Sequence, residues 1–318
     1  MQSHQSQLKN DLLKKRVFER SDCRICYWLA GPVDGPLIVL THGAAMDHRM
    51  FAAQVSVLSQ QYRVLVWDAR GHGQSRSVED TFSLQTAVED LLALLDWLGY
   101  EQATLVGHSM GSYIGQEIAF RCPHRVKALV AIDSTCLTLK HPRLIRSVMR
   151  LSPLVFRWLP YSLFKWLAAH ILSVTSQVGR YISDVYGQFT KGEFLSIWAA
   201  AMNCLHAEPD YRITQPLLIS HGQNDIVGFG VIKQQARAWA TRDPNVHYVV
   251  IPKAGHNAHQ ENPAYFNKVL LEFLHEHVPV PEPQRGAKPC PESIIEPATN
   301  SARSNSPLPS PVTLKATS

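Results

Sequence analysis

A serine between two glycines is the feature of the chain that points most directly to nucleophilic chemistry. In "VGHSMGSY" (106–113), Gly107, Ser109 and Gly111 fit the pattern G-x-S-x-G, which follows an apolar run and precedes a helical pattern. The pattern predicts a serine on a strained turn between a strand and a helix, where glycines let the two elements approach closely. Because so short a pattern is weak evidence, the rest of the chain has to supply the partners of the serine.

A serine hydroxyl becomes a good nucleophile when a base accepts its proton and an acid orients that base. For a serine on such a turn, the acid and then a histidine are expected after later strands. Asp225 comes shortly after the apolar run "LLISHG", and His256 comes after "VVIPKAG". The order and placement of Ser109, Asp225 and His256 therefore predict a catalytic triad.

Other residues are alternatives for the acid and the base. Asp133 follows the apolar run "ALVAI" and is an alternative to Asp225. His259 is an alternative base, although we expect it on the first turn of the last helix. His247 begins a strand and is therefore expected at the wrong end of the sheet. Asp225 and His256 are the favoured assignment.

The oxyanion of an acyl-transfer intermediate needs two preorganised hydrogen-bond donors. The backbone N–H of Met110, directly after the serine, is the first predicted donor. The second is expected in the loop after an earlier strand, where Ala44 in "LTHGAAMD" offers its N–H. Ala44 and Met110 are therefore the predicted oxyanion site.

Short apolar runs alternate with helical patterns along most of the chain. The predicted strands are 36–43, 62–71, 103–109, 127–134, 216–222 and 246–256, and predicted helices include 83–99, 111–120 and 262–277. Continuous apolar runs are typical of strands buried on both faces of a parallel sheet. Strands that alternate with helices predict an α/β fold, with a mostly parallel central sheet and helices on both faces.

Residues 135–211 interrupt this alternation with helical patterns rich in Leu, Trp, Tyr and Phe. One predicted helix has a basic face and an apolar face, formed by Arg143, Arg146 and Arg150 and by Leu144, Val148 and Leu151. One interpretation is a unit packed on the sheet with its arginines in water. The other is contact with a membrane surface or an anionic substrate.

Composition limits the classes of partner and compartment. The chain has 318 residues, 45% hydrophobic and 18% charged, with a formal net charge of +5. This charge is too small and too dispersed for a nucleic-acid partner. The amino terminus lacks the apolar core of a signal peptide, and no uncharged apolar run reaches about 18 residues, so a cytoplasmic protein is expected.

Cysteine spacing gives no support for a metal or redox site. Cys23 and Cys26 form a CxxC, but they lie in a predicted strand, where residues three apart point to opposite faces. No second CxxC follows, and serine acyl chemistry needs no metal or cofactor, so neither is expected. Residues 279–318 are rich in Pro and Ser and are predicted to be disordered.

These segments together resemble the α/β-hydrolase superfamily over residues 16–277. "HGAAMD" is similar to its oxyanion loop, "DARGHGQS" (68–75) to its D-x-R-G-x-G-x-S turn, and "GHNAHQENP" to its histidine segment. The resemblance implies the α/β-hydrolase fold with a helical cap, residues 135–211, inserted after the sixth strand. Residues 1–134 and 212–278 would then form the two parts of the hydrolase core.

The resemblance also implies roles for four further residues. Asp68, Arg70 and Ser75 would brace a turn, and His42 would hold the oxyanion loop through hydrogen bonds. A serine at position 109 is unlike the epoxide hydrolases and haloalkane dehalogenases of this fold, which use an aspartate nucleophile.

A serine hydrolase that cleaves an apolar small-molecule carboxylic ester through a Ser109 acyl-enzyme is the function that we expect. Large apolar side chains in 135–211 favour an apolar substrate. A lactonase or a C–C bond hydrolase with the same triad is an alternative, and a hydrolase-fold ligand receptor with little turnover is a further one. Acyl length and oligomeric state are not predicted.

Overall fold

The computed structural model describes residues 14–76 and 82–281. The predicted tail, residues 279–318, lies outside the described residues from residue 282 onward. Within the described ranges, no helix is both long and apolar enough to cross a bilayer.

An eight-stranded sheet forms the centre of the molecule. Its strands are β1 (Arg16–Glu19), β2 (Arg24–Ala30), β3 (Leu37–Thr41), β4 (Arg63–Trp67), β5 (Ala103–His108), β6 (Val126–Ile132), β7 (Leu217–Gly222) and β8 (Val246–Ile251). The spatial order is β1-β2-β4-β3-β5-β6-β7-β8. β3 to β8 pair in parallel, and β1 and β2 form an antiparallel edge. The prediction of a mostly parallel sheet is confirmed, although β1 was not predicted.

Ten α-helices accompany the strands in the described ranges. They are α1 (Ala52–Leu58), α2 (Leu84–Trp97), α3 (Met110–Arg121), α4 (Arg143–Trp158), α5 (Tyr161–Ile171), α6 (Ser176–Gly187), α7 (Lys191–Met202), α8 (Val231–Arg242), α9 (Ala258–Glu261) and α10 (Pro263–His277). The Ser83 hydroxyl accepts a hydrogen bond from the Thr86 N–H at 3.1 Å, so α2 begins at a capped turn. Buried strands such as β3, with all five residues buried, account for the continuous apolar runs of the sequence.

Helices α4 to α7 lie between β6 and β7 in the chain. Polar contacts join two of them to loops of the sheet. Arg49 pairs with Asp184 of α6 at 3.0 Å, and Arg76 pairs with Glu193 of α7 at 2.7 Å. The assignment of residues 135–211 as a separate cap stays a prediction.

Glycines allow α3 to approach the sheet unusually closely at its first turn. A Cβ atom added to Gly111 would lie 2.1 Å from the Thr41 carbonyl oxygen, at the end of β3. A Cβ atom added to Gly107 would lie 2.3 Å from the carbonyl carbon of Gly111. The backbones of β3, β5 and α3 therefore touch where any larger residue would separate them.

Replacing Gly111 with alanine is expected to lower stability because the new methyl group would overlap the backbone of β3. We expect Gly111→Ala to reduce the free energy of unfolding by about 1–3 kcal/mol or more, measured by urea denaturation. Gly192 of α7 is the matched control, since an added Cβ there meets nothing within 4 Å. A Gly111→Ala protein as stable as Gly192→Ala would contradict the close approach.

Candidate active site

Ser109 occupies a strained turn between a strand and a helix. β5 ends at His108 and α3 begins at Met110, and the backbone of Ser109 has φ 49° and ψ −113°. A non-glycine residue with such a φ costs free energy, on the order of 1–3 kcal/mol. The Ser109 N–H donates to the Ile132 carbonyl at 2.8 Å, so β6 holds the turn.

The start of α3 provides an electrostatic environment that suits a developing negative charge. Met110 is the first residue of this 12-residue helix, and its N–H therefore has no acceptor within the helix. The aligned peptide dipoles also place a partial positive charge at this end. An anion that forms next to Ser109 would be stabilised by both effects.

The structure brings Asp225 and His256 into direct contact. Asp225 lies in the loop after β7, and His256 lies after β8. His256 Nδ1 is 3.0 Å from Asp225 Oδ2, and both side chains are buried. The second carboxylate oxygen accepts from the Val227 N–H at 2.8 Å. Because a carboxylate accepts, Nδ1 carries the proton and Nε2 is left to act as a base.

His108 links the histidine loop to the turn that holds Ser109. Its Nε2–H donates to the His256 carbonyl oxygen at 2.7 Å, and the two rings lie 5.1 Å apart. Burial, together with the nearby His256, lowers the pKa of His108 well below its usual value, so the ring stays neutral. Ser109, Asp225 and His256 therefore lie at the same edge of the sheet, after β5, β7 and β8. Sequence reasoning missed this role, because His108 occupies a variable position of G-x-S-x-G.

Asp133 joins the end of β7 to the start of α9 and makes no hydrogen bond to the ring nitrogens of His256. Its Oδ1 accepts from the Gly222 N–H at 2.7 Å, and its Oδ2 accepts from the Ala258 N–H at 2.9 Å. Burial raises the pKa of Asp133 well above its usual value, and the neighbouring Asp225 charge raises it further. This geometry favours Asp225 over Asp133 as the acid that orients His256.

The same cluster has the residue types of a cation site. Ligand atoms of Asp133, Asp225 and His256 lie within 4.8 Å of one another, as do those of Asp133, His108 and His259. The Asp133 oxygens already accept backbone N–H groups, and Asp225 and His256 bond to each other. These hydrogen bonds compete with metal coordination.

His259 lies in α9, directly before the last helix and not on its first turn as expected. The ring is fully buried, 4.9 Å from the Phe51 ring and 5.2 Å from the His108 ring. Burial lowers the pKa of His259 to about 3, which makes it a weak base. His247 is the second residue of β8, and its Nε2 lies 3.1 Å from Nε2 of His277. Neither residue contacts the Asp225 carboxylate in the way that His256 does.

The loop after β3 lies against the Ser109 turn. A Cβ atom added to Gly43 would be 2.6 Å from Nδ1 of His108, so the backbone next to Ala44 packs against the residue before Ser109. His42 Nε2 accepts from the Ala69 N–H at 3.0 Å, and its Nδ1–H donates to the Gly43 carbonyl at 2.8 Å. These bonds hold the loop that carries Ala44, as the resemblance to the α/β-hydrolase superfamily implied.

Asp68, Arg70 and Ser75 make the contacts expected of residues that brace a turn. Asp68 accepts from the His48 N–H at 2.7 Å, and the Ser75 hydroxyl donates to the Asp68 carbonyl at 2.6 Å. Arg70 forms a bidentate pair with the buried Asp90, with N–O distances of 2.6 and 2.8 Å. All three residues stabilise the loop after β4.

Glu261 connects the helical insert to the histidine loop, a role that sequence reasoning did not predict. One carboxylate oxygen accepts from the N–H groups of Val174 and Thr175, which lie between α5 and α6. The other oxygen accepts from the Gly255 N–H, next to His256. The signal was present in "GHNAHQENP", but the sequence does not show which backbone groups this glutamate meets.

Comparison with known proteins identifies the fold family of the chain. The family model for the alpha/beta hydrolase fold matches residues 36–263. A Pseudomonas savastanoi pv. phaseolicola protein named as a carbamate hydrolase, RutD, is 27% identical over 249 residues, which cover 76% of this chain and 94% of that protein. The 3-oxoadipate enol-lactonase 1 of Acinetobacter baylyi is 47% identical over 81 residues, which cover 26% of this chain and 30% of that protein.

Solved structures show the same fold. The enol-lactonase of Burkholderia xenovorans LB400 superposes with a TM-score of 0.70 at 24% identity, covering 81% of this chain and 99% of its own. A thermophilic esterase of Thermogutta terrifontis has a TM-score of 0.70 at 23% identity, covering 83% and 100%. The chain belongs to the α/β-hydrolase fold family, and within that family it is a hydrolase.

The buried Asp133 gives the protein a pH dependence that can be measured. Because its pKa is raised, ionisation of Asp133 costs the folded state free energy, and this cost is absent below the ordinary carboxyl pKa of about 4. Asparagine carries no such cost. We therefore expect the free energy of unfolding of the wild type, relative to Asp133→Asn, to fall as pH rises from about 4 to about 7.

Urea denaturation at several pH values checks this expectation. The asparagine side chain keeps one acceptor oxygen, so the variant loses one hydrogen bond. That loss changes its free energy of unfolding by the same amount at every pH. Asp34→Asn, in an exposed loop, is the matched control. If the difference in free energy of unfolding between wild type and Asp133→Asn stayed constant with pH, the pKa of the Asp133 carboxyl group would not be raised.

Proposed function

We propose that this hydrolase is a serine hydrolase that cleaves an apolar small-molecule carboxylic ester through a Ser109 acyl-enzyme. The observation that carries the proposal is the Asp225–His256 contact of 3.0 Å beside the strained Ser109 turn. In the proposal, Ser109, Asp225 and His256 are the catalytic residues, and the N–H groups of Ala44 and Met110 form the oxyanion site. Residues 135–211 have the role of a cap.

Acylation begins when the Ser109 Oγ attacks the ester carbonyl carbon. His256 Nε2 accepts the hydroxyl proton, and the Asp225 carboxylate stabilises the imidazolium that results. The carbonyl π electrons move to oxygen, and the N–H groups of Ala44 and Met110 donate hydrogen bonds to that oxyanion. When the intermediate collapses, the C–O bond to the alcohol breaks, and His256 returns the proton to the leaving alkoxide.

Deacylation repeats these steps with water as the nucleophile. His256 accepts a proton from water as the water oxygen attacks the acyl carbon, and the second tetrahedral intermediate uses the same oxyanion donors. Collapse breaks the bond to Ser109 Oγ, which regains its proton from His256. The products are an alcohol and a carboxylic acid, and the enzyme returns to its initial state.

An apolar ester is supported by the side chains of the insert. Phe164, Phe194 and Trp198 belong to an aromatic cluster within α5 and α7, with ring centroids of Phe164 and Phe194 4.7 Å apart. Such side chains typically line sites for apolar ligands. A lactone, which is a cyclic ester, is the second candidate substrate, because a 3-oxoadipate enol-lactonase shares 47% identity over 81 residues.

Replacing the proposed triad residues should remove turnover of a soluble p-nitrophenyl ester. We expect Ser109→Ala and His256→Ala to lower kcat by about 10⁴-fold or more, and Asp225→Asn by roughly 10³- to 10⁴-fold. Asp133→Asn is the matched control, since Asp133 contacts backbone N–H groups and not the His256 ring nitrogen; its loss should be far smaller. If Asp133→Asn were as inactive as Asp225→Asn, the choice of acid would be wrong.

The substrate class follows from initial rates on two series of compounds. With p-nitrophenyl esters from acetate upward, kcat/KM is expected to rise with acyl length, because each buried methylene contributes about 0.8 kcal/mol. Simple γ- and δ-lactones are the second series, with Ser109→Ala as the blank. Faster turnover of lactones than of every acyclic ester would replace the ester assignment with the lactone assignment.

A further inference from the structure

Helix α4 presents an apolar stripe to solvent. Val148, Leu151, Leu154 and Val155 are each more than half exposed, and Trp158 is 86% exposed. Their spacings of three and four residues place them on one side of the helix. The apolar side predicted from Val148 and Leu151 is therefore not packed against the sheet, contrary to the interpretation of a cap with only its arginines in water.

The opposite side of α4 attaches the helix to the rest of the protein. The Phe156 ring lies 5.0 Å from the Phe164 ring and 5.9 Å from the Trp198 ring. Trp198 Nε1–H donates to the Ser152 hydroxyl at 2.8 Å. Because these contacts fix the orientation of α4, the exposed stripe is a property of the folded protein.

A row of arginines runs beside the apolar stripe. Arg143, Arg150 and Arg157 are exposed and Arg146 is half-buried, at spacings that place them along one edge. Among the described residues, no carboxylate lies within ion-pair distance of their guanidinium groups. The helix thus combines two features: the apolar stripe, which ends at Trp158, and a row of arginines without a carboxylate partner among the described residues.

A cavity at the amino end of α4 adds to the positive charge. It is lined by Lys140, His141, Pro142, Arg143, Arg146, Ala207 and Pro209. His141 is buried, its Nε2–H donates to the Cys136 carbonyl at 2.9 Å, and its Nδ1 has no hydrogen-bond partner within the described residues. An anionic group in this cavity would meet three cationic side chains.

The charge and the apolar stripe of α4 distinguish among three occupants of this face: the carboxyl-terminal segment, a second copy of the chain and a lipid surface. The segment 282–318 holds four basic and three acidic residues and no aromatic residue, so it does not complement a row of arginines. A second copy in a two-fold contact would place the arginine rows of the two α4 helices near each other. An anionic lipid surface satisfies both features, because its phosphates attract arginine while its acyl region accepts Leu and Trp side chains.

We propose that α4 docks this protein on anionic phospholipid bilayers, lying in the plane of the interface. In this arrangement the apolar stripe of Val148, Leu151, Leu154, Val155 and Trp158 enters the boundary between headgroups and acyl chains. The arginines contact lipid phosphates, and the cavity beside Arg143 takes one headgroup. This docking is independent of the reaction at Ser109.

Flotation of the full-length chain with vesicles tests the docking. We expect binding to vesicles of equal phosphatidylglycerol and phosphatidylcholine at low ionic strength, with at least a tenfold weaker partition on pure phosphatidylcholine. High salt should also weaken binding, because the attraction to lipid phosphates is screened. Absence of binding to the anionic vesicles at low salt would overturn the proposal.

Two pairs of substitutions separate the charge from the apolar stripe. The double variant Arg143→Glu with Arg150→Glu should bind anionic vesicles at least tenfold more weakly. Its control is Arg237→Glu with Lys268→Glu, which changes the net charge equally at exposed positions of α8 and α10 and should not weaken binding. Leu151→Ser with Trp158→Ser should also lower binding, with the exposed Trp97→Ser as its control. Equal effects of a test pair and its control would contradict docking through α4.

Fluorescence distinguishes insertion from other ways of covering this face. Brominated lipids should quench part of the tryptophan emission of the wild type, and Trp158→Phe should lose that part. In a second outcome, inorganic phosphate raises the Tm of the wild type but not that of Arg143→Glu, while neither protein binds vesicles. That result would identify a site for free anions instead. A concentration-dependent dimer that Leu151→Ser with Trp158→Ser abolishes, without vesicle binding, would identify a second copy as the occupant. Either result would overturn the proposal.

Discussion

The contact between the first turn of α3 and the ends of β3 and β5 is the constraint on which the site depends. Gly107 and Gly111 make it possible, since an added Cβ on either would lie within about 2.3 Å of backbone atoms. The same contact holds Ser109 in a backbone conformation with φ 49° and leaves the Met110 N–H at the free end of the helix. Strain at one residue is thus balanced by packing of two strands and a helix.

Buried polar groups then align the loops that follow the strands. His108 joins the Ser109 turn to the His256 carbonyl, and Asp133 joins the end of β7 to the start of α9. Each bond lies away from solvent, where a lost partner leaves an unsatisfied group at a cost of about 1–3 kcal/mol. Because these bonds are costly to break, they fix the positions of the loops that carry Asp225 and His256. Glu261 extends this network to the helices between β6 and β7.

The sequence predicted the sheet well because its strands are buried on both faces and therefore form continuous apolar runs, as in β3 and β7. It also predicted the contact between Asp225 and His256, since the ends of parallel strands share one edge. The catalytic roles of Ser109, Asp225 and His256 stay a prediction. The strand β1 was missed because its two exposed and two half-buried residues carry a weak pattern. The environment of the apolar side of α4 stayed open in the sequence for another reason: periodicity shows that Val148 and Leu151 share a face, but not whether anything covers it. Roles of His108 and Glu261 depend on contacts with backbone groups, which residue types do not reveal.

Covalent labelling by a fluorophosphonate tests the central claim, that Ser109 is an activated nucleophile, most directly. The intact mass of the folded protein should increase by one phosphonyl adduct, and peptide mapping should place that adduct on Ser109. Labelling should be lost in Ser109→Ala and slowed strongly in His256→Ala, because the serine then has no base to accept its proton. Equal labelling of the wild type and Ser109→Ala, or no labelling of the folded wild type, would contradict the account.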